Sequence, residues 1–221
     1  MKSGNDYPIN TAIALLLGGE TGTGKSTNLF NWPRPWIADL EGNLKGAIAH
    51  HTMVGGKPPE FKWDRPQFNT AGNLLPLADQ YDRLVALADA AVADPAVSVI
   101  CIDGLGKLCD MLKAKLANLP GDKPVTIAGQ RVMGLAQWGV YGDQLKKFVW
   151  DLRDKGKPLI ITCHLKVGEN EMTNVNEYRI ADLQADLGKS NSFPKCFSDY
   201  FQTLNEVVTK TPDCPRGVRY K

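Results

Sequence analysis

Residues 19–26 read Gly19-Glu20-Thr21-Gly22-Thr23-Gly24-Lys25-Ser26 and follow the apolar run 12–17. A buried strand, a glycine-rich turn and a helix start are the context in which G-x-x-x-x-G-K-[ST] works as a phosphate-binding loop. Glycines 19, 22 and 24 let successive backbone N–H groups turn inward as an anion nest, and the helix beyond offers its positive end. Thr21, Thr23, Glu20 and Thr27 complete the stretch expected to line the triphosphate. Lys25 is expected to reach the β- and γ-phosphates and the Ser26 hydroxyl to ligate magnesium.

Outward from this turn the chain alternates strand-like and helix-like segments. A short helix from Lys25 stops near Trp32, ahead of Pro33 and Pro35. A second apolar strand, 36–40, closes on Asp39-Leu40-Glu41-Gly42. Residues 50–70 hold Gly55-Gly56, Pro58-Pro59 and Pro66 and read as a surface excursion. Leu74, Leu75, Leu77, Tyr81, Leu84, Val85 and Ala88 carry helical spacing, ended by Asp94-Pro95. The unbroken apolar run 97–102 ends at Asp103, an amphipathic helix spans 105–119, and 120–142 is glycine-rich and reads as a loop. A helix over 143–155 leads to a strand at 159–163, ended by His164. Residues 166–194 read as a long polar loop, 197–204 and 207–210 as closing strands, 1–10 as a flexible start and 211–221 as a basic tail. Apolar runs without alternation predict an α/β fold: a mainly parallel central sheet with helices on both faces, in one domain.

At the carboxyl ends of such strands sit the candidates for chemistry. Asp103 is placed to hold magnesium together with Ser26, or else to cap the following helix. Glu41 is placed to orient and deprotonate an attacking water, with Asp39 as the fallback. His164 is placed to sense the γ-phosphate. His50 and His51 lack metal-site spacing.

The chain has 221 residues, 43% hydrophobic, with 26 basic against 24 acidic side chains, so no electrostatic footprint announces a nucleic-acid partner. Its 5 cysteines include no C-x-x-C pair, and Cys101 and Cys163 fall in apolar runs, which predicts reduced, buried thiols. No signal-peptide core or membrane span is evident, so a cytoplasmic location is expected.

Together these residues resemble the RecA-like P-loop ATPase core, and most of all its short phage-encoded members, treated as single-strand annealing or recombination nucleotide-binding proteins. Gly19 to Ser26 corresponds to the phosphate loop. Ile37-Ala38-Asp39-Leu40-Glu41-Gly42 resembles the strand that ends in the catalytic glutamate, and Ile100-Cys101-Ile102-Asp103 the magnesium strand. Leu159-Ile160-Ile161-Thr162-Cys163-His164 resembles the strand whose last polar residue senses nucleotide. The resemblance implies ATP and Mg²⁺ as cofactors, hydrolysis with Lys25, Glu41 and His164 in catalytic roles, and a homo-oligomeric ring or filament in the host cytoplasm. It implies single-stranded DNA as partner, beside phage or host replication proteins, with Lys123, Arg131, Trp138, Lys166 and Arg179 as the candidate contacts. Basic groups beside an aromatic platform suit a single strand, although acidic residues outnumber basic ones in the second loop. A basic residue from a neighbouring subunit would complete the site, with Arg216, Arg219 and Lys221 as candidates. Two other readings of the loop are open. One is a small-molecule or nucleotide kinase, weakened because residues 166–189 hold a single arginine, Arg179, where a lid would need several. The other is a nucleotide-gated adaptor or loader that does not hydrolyse.

Overall fold

The computed structural model describes residues 13–119, 125–170, 175–180, 199–203, 205–207 and 218–220. Strand β1 (Ala14–Gly19) runs into the glycine-rich turn and helix α1 (Lys25–Asn28), which tightens into a 3-10 turn, Leu29–Asn31. After these come β2 (Pro35–Asp39), α2 (Leu44–Gly55), β3 (Lys62–Asp64), α3 (Leu77–Ala93), β4 (Val99–Asp103) and α4 (Leu105–Ala117). A small hairpin, β5 (Val125–Ile127) and β6 (Gln130–Val132), precedes α5 (Leu135–Asp154). Strand β7 (Leu159–Asn170) turns back as β8 (Val175–Ile180), and β9 (Asp199–Thr203), β10 (Asn205–Val207) and β11 (Val218–Tyr220) follow.

The sheet order is β3-β2-β4-β7-β1-β9, and every neighbouring pair along that path is parallel. Because all strands point one way, Gly19, Asp39, Asp103 and His164 share the carboxyl edge. The register pairs Gly19 with His164 and Asp39 with Asp103. The expected α/β sheet is therefore present.

Burial explains why the strands read as continuous apolar runs. Residues of β1 alternate between two cores: Ala14 and Leu16 face one, Leu15 and Leu17 the other. The larger core is closed by α3, α4 and α5 through Leu84, Leu108, Leu112, Tyr141, Leu145 and Val149. The smaller one is closed by Leu29, Phe30, Leu44 and Ala47. Cys101, Cys109 and Cys163 are buried, as the sequence predicts for the first and last of them. Among the described residues no helix is long and apolar enough to cross a membrane.

Three regions differ from the sequence expectation. Residues 50–70 are not irregular throughout, since α2 extends to Gly55 and β3 forms the sheet edge. Only Leu44 and Ala47 of α2 are buried, and β3 is Lys-Trp-Asp, so neither element carries a strong apolar period. Helix α5 begins at Leu135, well ahead of residue 143, despite Gly139 and Gly142. Each glycine costs a helix about 1 kcal/mol. The burial of Tyr141 and the bond from Gln137 Nε2 to Leu116 O (2.8 Å) offset that cost. Finally, the start of the expected 166–194 loop is an antiparallel ribbon, β7 with β8, paired from Leu165–Ile180 to Asn170–Val175. The pairing is made with a partner from the next turn of chain, which no pattern within either segment reveals. Residues 1–10, 181–194 and 208–217, which include most of the expected strand at 207–210, lie outside the described residues.

Tyr81, packed against Phe148 at 6.1 Å between ring centroids, joins α3 to α5. Burial, with Asp82 and Asp151 adding to it, pushes its hydroxyl from 10.0 up to about 12. An unfolded tyrosine gives up its proton near its ordinary value while the folded one holds it. Stability is thus intact below the unfolded pKa and is lost as pH rises towards the folded one, by roughly 2–3 kcal/mol in all. Tyr81→Phe should abolish this part of the alkaline loss, which urea midpoints at about pH 9 and pH 11 would measure.

Candidate active site

The turn after β1 is held by its own bonds. Gly22 and Gly24 take φ of 82° and 84°, a region that disfavours any side chain. The Thr23 hydroxyl donates to Glu20 O (2.8 Å), and the buried Lys25 ammonium donates to Gly19 O (2.9 Å) and Glu20 O (2.8 Å). The lysine is thereby stored along the loop backbone, with carbonyls standing where phosphate oxygens would compete. The following α-helix is a single turn, too short for a strong dipole, so the anion grip falls mainly on the backbone N–H groups and Lys25.

Strand β7 lies between β1 and β4, and this order brings Thr162 to Asp103. The Thr162 hydroxyl donates to Asp103 Oδ1 (2.7 Å) and accepts from Gly104 N (2.9 Å). Burial raises the Asp103 pKa; the Thr162 and Ser26 hydroxyls oppose the rise, and the Glu41 and Asp39 carboxylates add to it. Asp103 Oδ2 is buried without a hydrogen-bond partner. A buried carboxylate among other carboxylates, with one oxygen orphaned beside a hydroxyl of the phosphate loop, fits a magnesium ion. Among the described residues no three acidic, histidine or cysteine side chains form a metal cage. Magnesium commonly takes most of its ligands from phosphate and water. Ser26 and Asp103 would hold it, Asp103 directly or through a water.

Glu41 lies just beyond β2 and reaches over the end of β4 to His164. Its Oε1 is 3.2 Å from His164 Nε2, and its Oε2 accepts from Asn43 Nδ2 (3.1 Å). Both side chains are partly buried, at 17% exposure for Glu41 and 31% for His164. The crossing passes directly over Gly104, at φ +120°. A Cβ on Gly104 would stand 2.7 Å from Glu41 Cγ and 3.0 Å from Oε1. The missing side chain is what lets a carboxylate from β2 reach a histidine two strands away. Gly104→Ala should displace Glu41 and lower turnover about 10- to 100-fold, since misplacing a reacting group by about 1 Å has that scale of effect. Nucleotide affinity should stay near wild type, and steady-state rates beside a binding titration check this.

Asp39 is fully buried and fully engaged: Oδ1 accepts from Gly42 N (2.7 Å) and Asn43 N (3.1 Å), and Oδ2 pairs with Arg65 Nε (3.1 Å). Its bonds hold the Gly42-Asn43 turn ahead of α2, and none of its oxygens is left to act on a water.

The structure thus brings Lys25, Ser26, Asp103, Glu41 and His164 to one edge and adds two residues absent from the sequence reading. Thr162 is a lone hydroxyl in the run Leu159-Ile160-Ile161-Thr162, a visible signal. Gly104, after Asp103, reads from sequence only as the start of a helix. The DNA candidates are scattered. Arg131 is exposed on β6, and Trp138 is half-exposed on α5, edge-on to Tyr141 at 5.8 Å. Lys166 and Arg179 are opposed in the β7–β8 register, while Lys123 lies outside the described residues. Of the candidates for a neighbour's basic residue, Arg219 is in β11, and Arg216 and Lys221 lie outside the described residues.

No curated protein matches the chain significantly. The family model described as AAA domain matches residues 11–210, a span that takes in the turn, the acidic strand ends and His164. By that match, and with a phosphate loop at the edge of a parallel sheet, the chain belongs to the AAA domain family of P-loop ATPases.

Proposed function

We propose that this chain is a RecA-like, magnesium-dependent ATPase of phage type that acts on DNA in recombination, single-strand annealing or repair, as a homo-oligomer. The observation that carries the reading is the contact of Glu41 with His164 at 3.2 Å. It ties a carboxylate suited to water activation to the strand that continues, one residue on, into the β7–β8 ribbon.

In this reading Lys25 exchanges its two carbonyl partners for the β- and γ-phosphates of ATP. Ser26 and Asp103 hold the metal, with Thr162 fixing the Asp103 carboxylate; the bound ion supplies charge neutralisation on the transferred phosphoryl group. Glu41 accepts the proton of the attacking water as its oxygen bonds to the γ-phosphorus and ADP departs. His164 shares Glu41, so a γ-phosphate that draws on either side chain alters the pair and, through β7, the ribbon. The ribbon, where Lys166 and Arg179 are opposed in register, is the preferred DNA contact by its position beyond the site rather than by its charge.

The test is the ATPase rate with and without a single-stranded oligonucleotide, with molecular size measured in each nucleotide state. Several-fold stimulation that fades with salt, together with assembly in ATP, is the expected result. An unchanged rate with no binding to the oligonucleotide would sink the DNA part of the reading.

A further inference from the structure

The segment after the edge strand β3 contributes two side chains to the turn that carries Glu41, and neither belongs to the phosphate loop or the strand ends. Arg65 Nε donates to Asp39 Oδ2 (3.1 Å), and its guanidinium also lies over the Trp63 ring, 5.8 Å from the centroid. Gln67 Nε2 donates to two consecutive carbonyls, Asp39 O (3.0 Å) and Leu40 O (2.6 Å). Leu40 N in turn donates to Asp103 O (3.2 Å), so residues 39–41 are gripped from both sides.

The gripping segment is itself stiff. Phe68 N bonds to Arg65 O (3.1 Å) and Leu75 N to Gln67 O (2.8 Å), while Asn69 Oδ1 accepts from Ala71 N and Asn73 N. Pro66 fixes one torsion between the two gripping residues. Gln67 Oε1 is buried without a partner. An apolar side chain of similar size would avoid that cost. The amide is therefore an expense for the fold, offset by what its nitrogen holds in place.

We propose that Arg65 and Gln67 are positioning residues for Glu41, a clamp from the sheet edge that holds the β2 turn so that the carboxylate reaches across Gly104. The proposal rests on the reading of Glu41 as the group that activates water. The clamp touches no part of the phosphate loop, so its loss should act on the chemical step and leave nucleotide binding in place.

The experiment compares Arg65→Ala and Gln67→Ala, each alone and combined with Glu41→Gln. It follows kcat and KM for ATP, release of labelled γ-phosphate at low rates, affinity for N-methylanthraniloyl-ATP and the thermal midpoint. Expected is a fall in kcat of about 100-fold, the scale of a displaced reacting group, with probe affinity within about two-fold of wild type. In the Glu41→Gln background neither change should lower the residual rate further, because the lost group is the one the clamp serves. Should Arg65→Ala fail to fold, with Asp39 left as a buried unpaired charge, Gln67→Ala carries the test, since it leaves that pair intact. Full kcat in the clamp variants beside an inactive Glu41→Gln overturns the clamp alone, as does an equal further loss in both backgrounds. Glu41→Gln turning over at the wild-type rate overturns the reading beneath it.

Discussion

Lys25→Ala should lose about 100-fold or more in affinity for magnesium-ATP, and turnover at ordinary ATP concentrations with it. Each charged hydrogen bond to a phosphate is worth about 1.5–3 kcal/mol, and about 1.4 kcal/mol is tenfold in binding. Lys25 is 8% exposed, and its ammonium is already oriented along the loop by Gly19 O and Glu20 O. Little ordering remains to be done when phosphate arrives, and the affinity gained is the difference between charged bonds to phosphate and the two neutral carbonyl bonds given up. The cost to folding is limited because Glu20 is exposed and its carbonyl can turn to water, which leaves only Gly19 O, at the buried end of β1, short of a partner. The variant should therefore unfold within a few degrees of wild type, which calorimetric titration beside a thermal scan would establish. Lost binding in a folded protein is the expected pair of results; retained binding would remove the phosphate loop from the account.

Glu41→Gln should keep nucleotide and lose hydrolysis by about 10²- to 10⁴-fold, the range that a positioned general base supplies. Glutamine matches glutamate in volume and can still engage His164 and Asn43, so the crossing over Gly104 survives while the capacity to accept a proton is gone. The variant separates binding from chemistry in a way Lys25→Ala does not. A comparable change at Asp39 would be a poor test, since that carboxylate holds the Gly42-Asn43 turn and pairs with Arg65, and its loss would act on the fold.

What could be read in the sequence divides along a physical line. The strands were legible because a parallel sheet buried on both faces needs unbroken apolar runs, and β1, β2, β4 and the first half of β7 are such runs. Their carboxyl-end residues could then be placed at one edge without knowing the strand order. The order itself, with β7 between β1 and β4, is what joins Thr162 to Asp103 and Glu41 to His164. It depends on long-range pairing that no local pattern encodes. Helix α2 and edge strand β3 were hidden because they bury little. The ribbon was hidden because its two strands stabilise each other beyond the sheet. Arg65 and Gln67 drew no attention for the same reason: their partners are the backbone and a buried carboxylate 26 to 28 positions away.

Hydrolysis at the phosphate loop by way of Glu41 is most directly tested by the identity of the nucleotide left on the protein. Wild type and Glu41→Gln are incubated with magnesium-ATP, separated rapidly from free nucleotide, denatured, and the released nucleotide resolved by ion exchange. ADP on the wild type and intact ATP on the variant is the predicted outcome. ADP on both in equal amounts would contradict it.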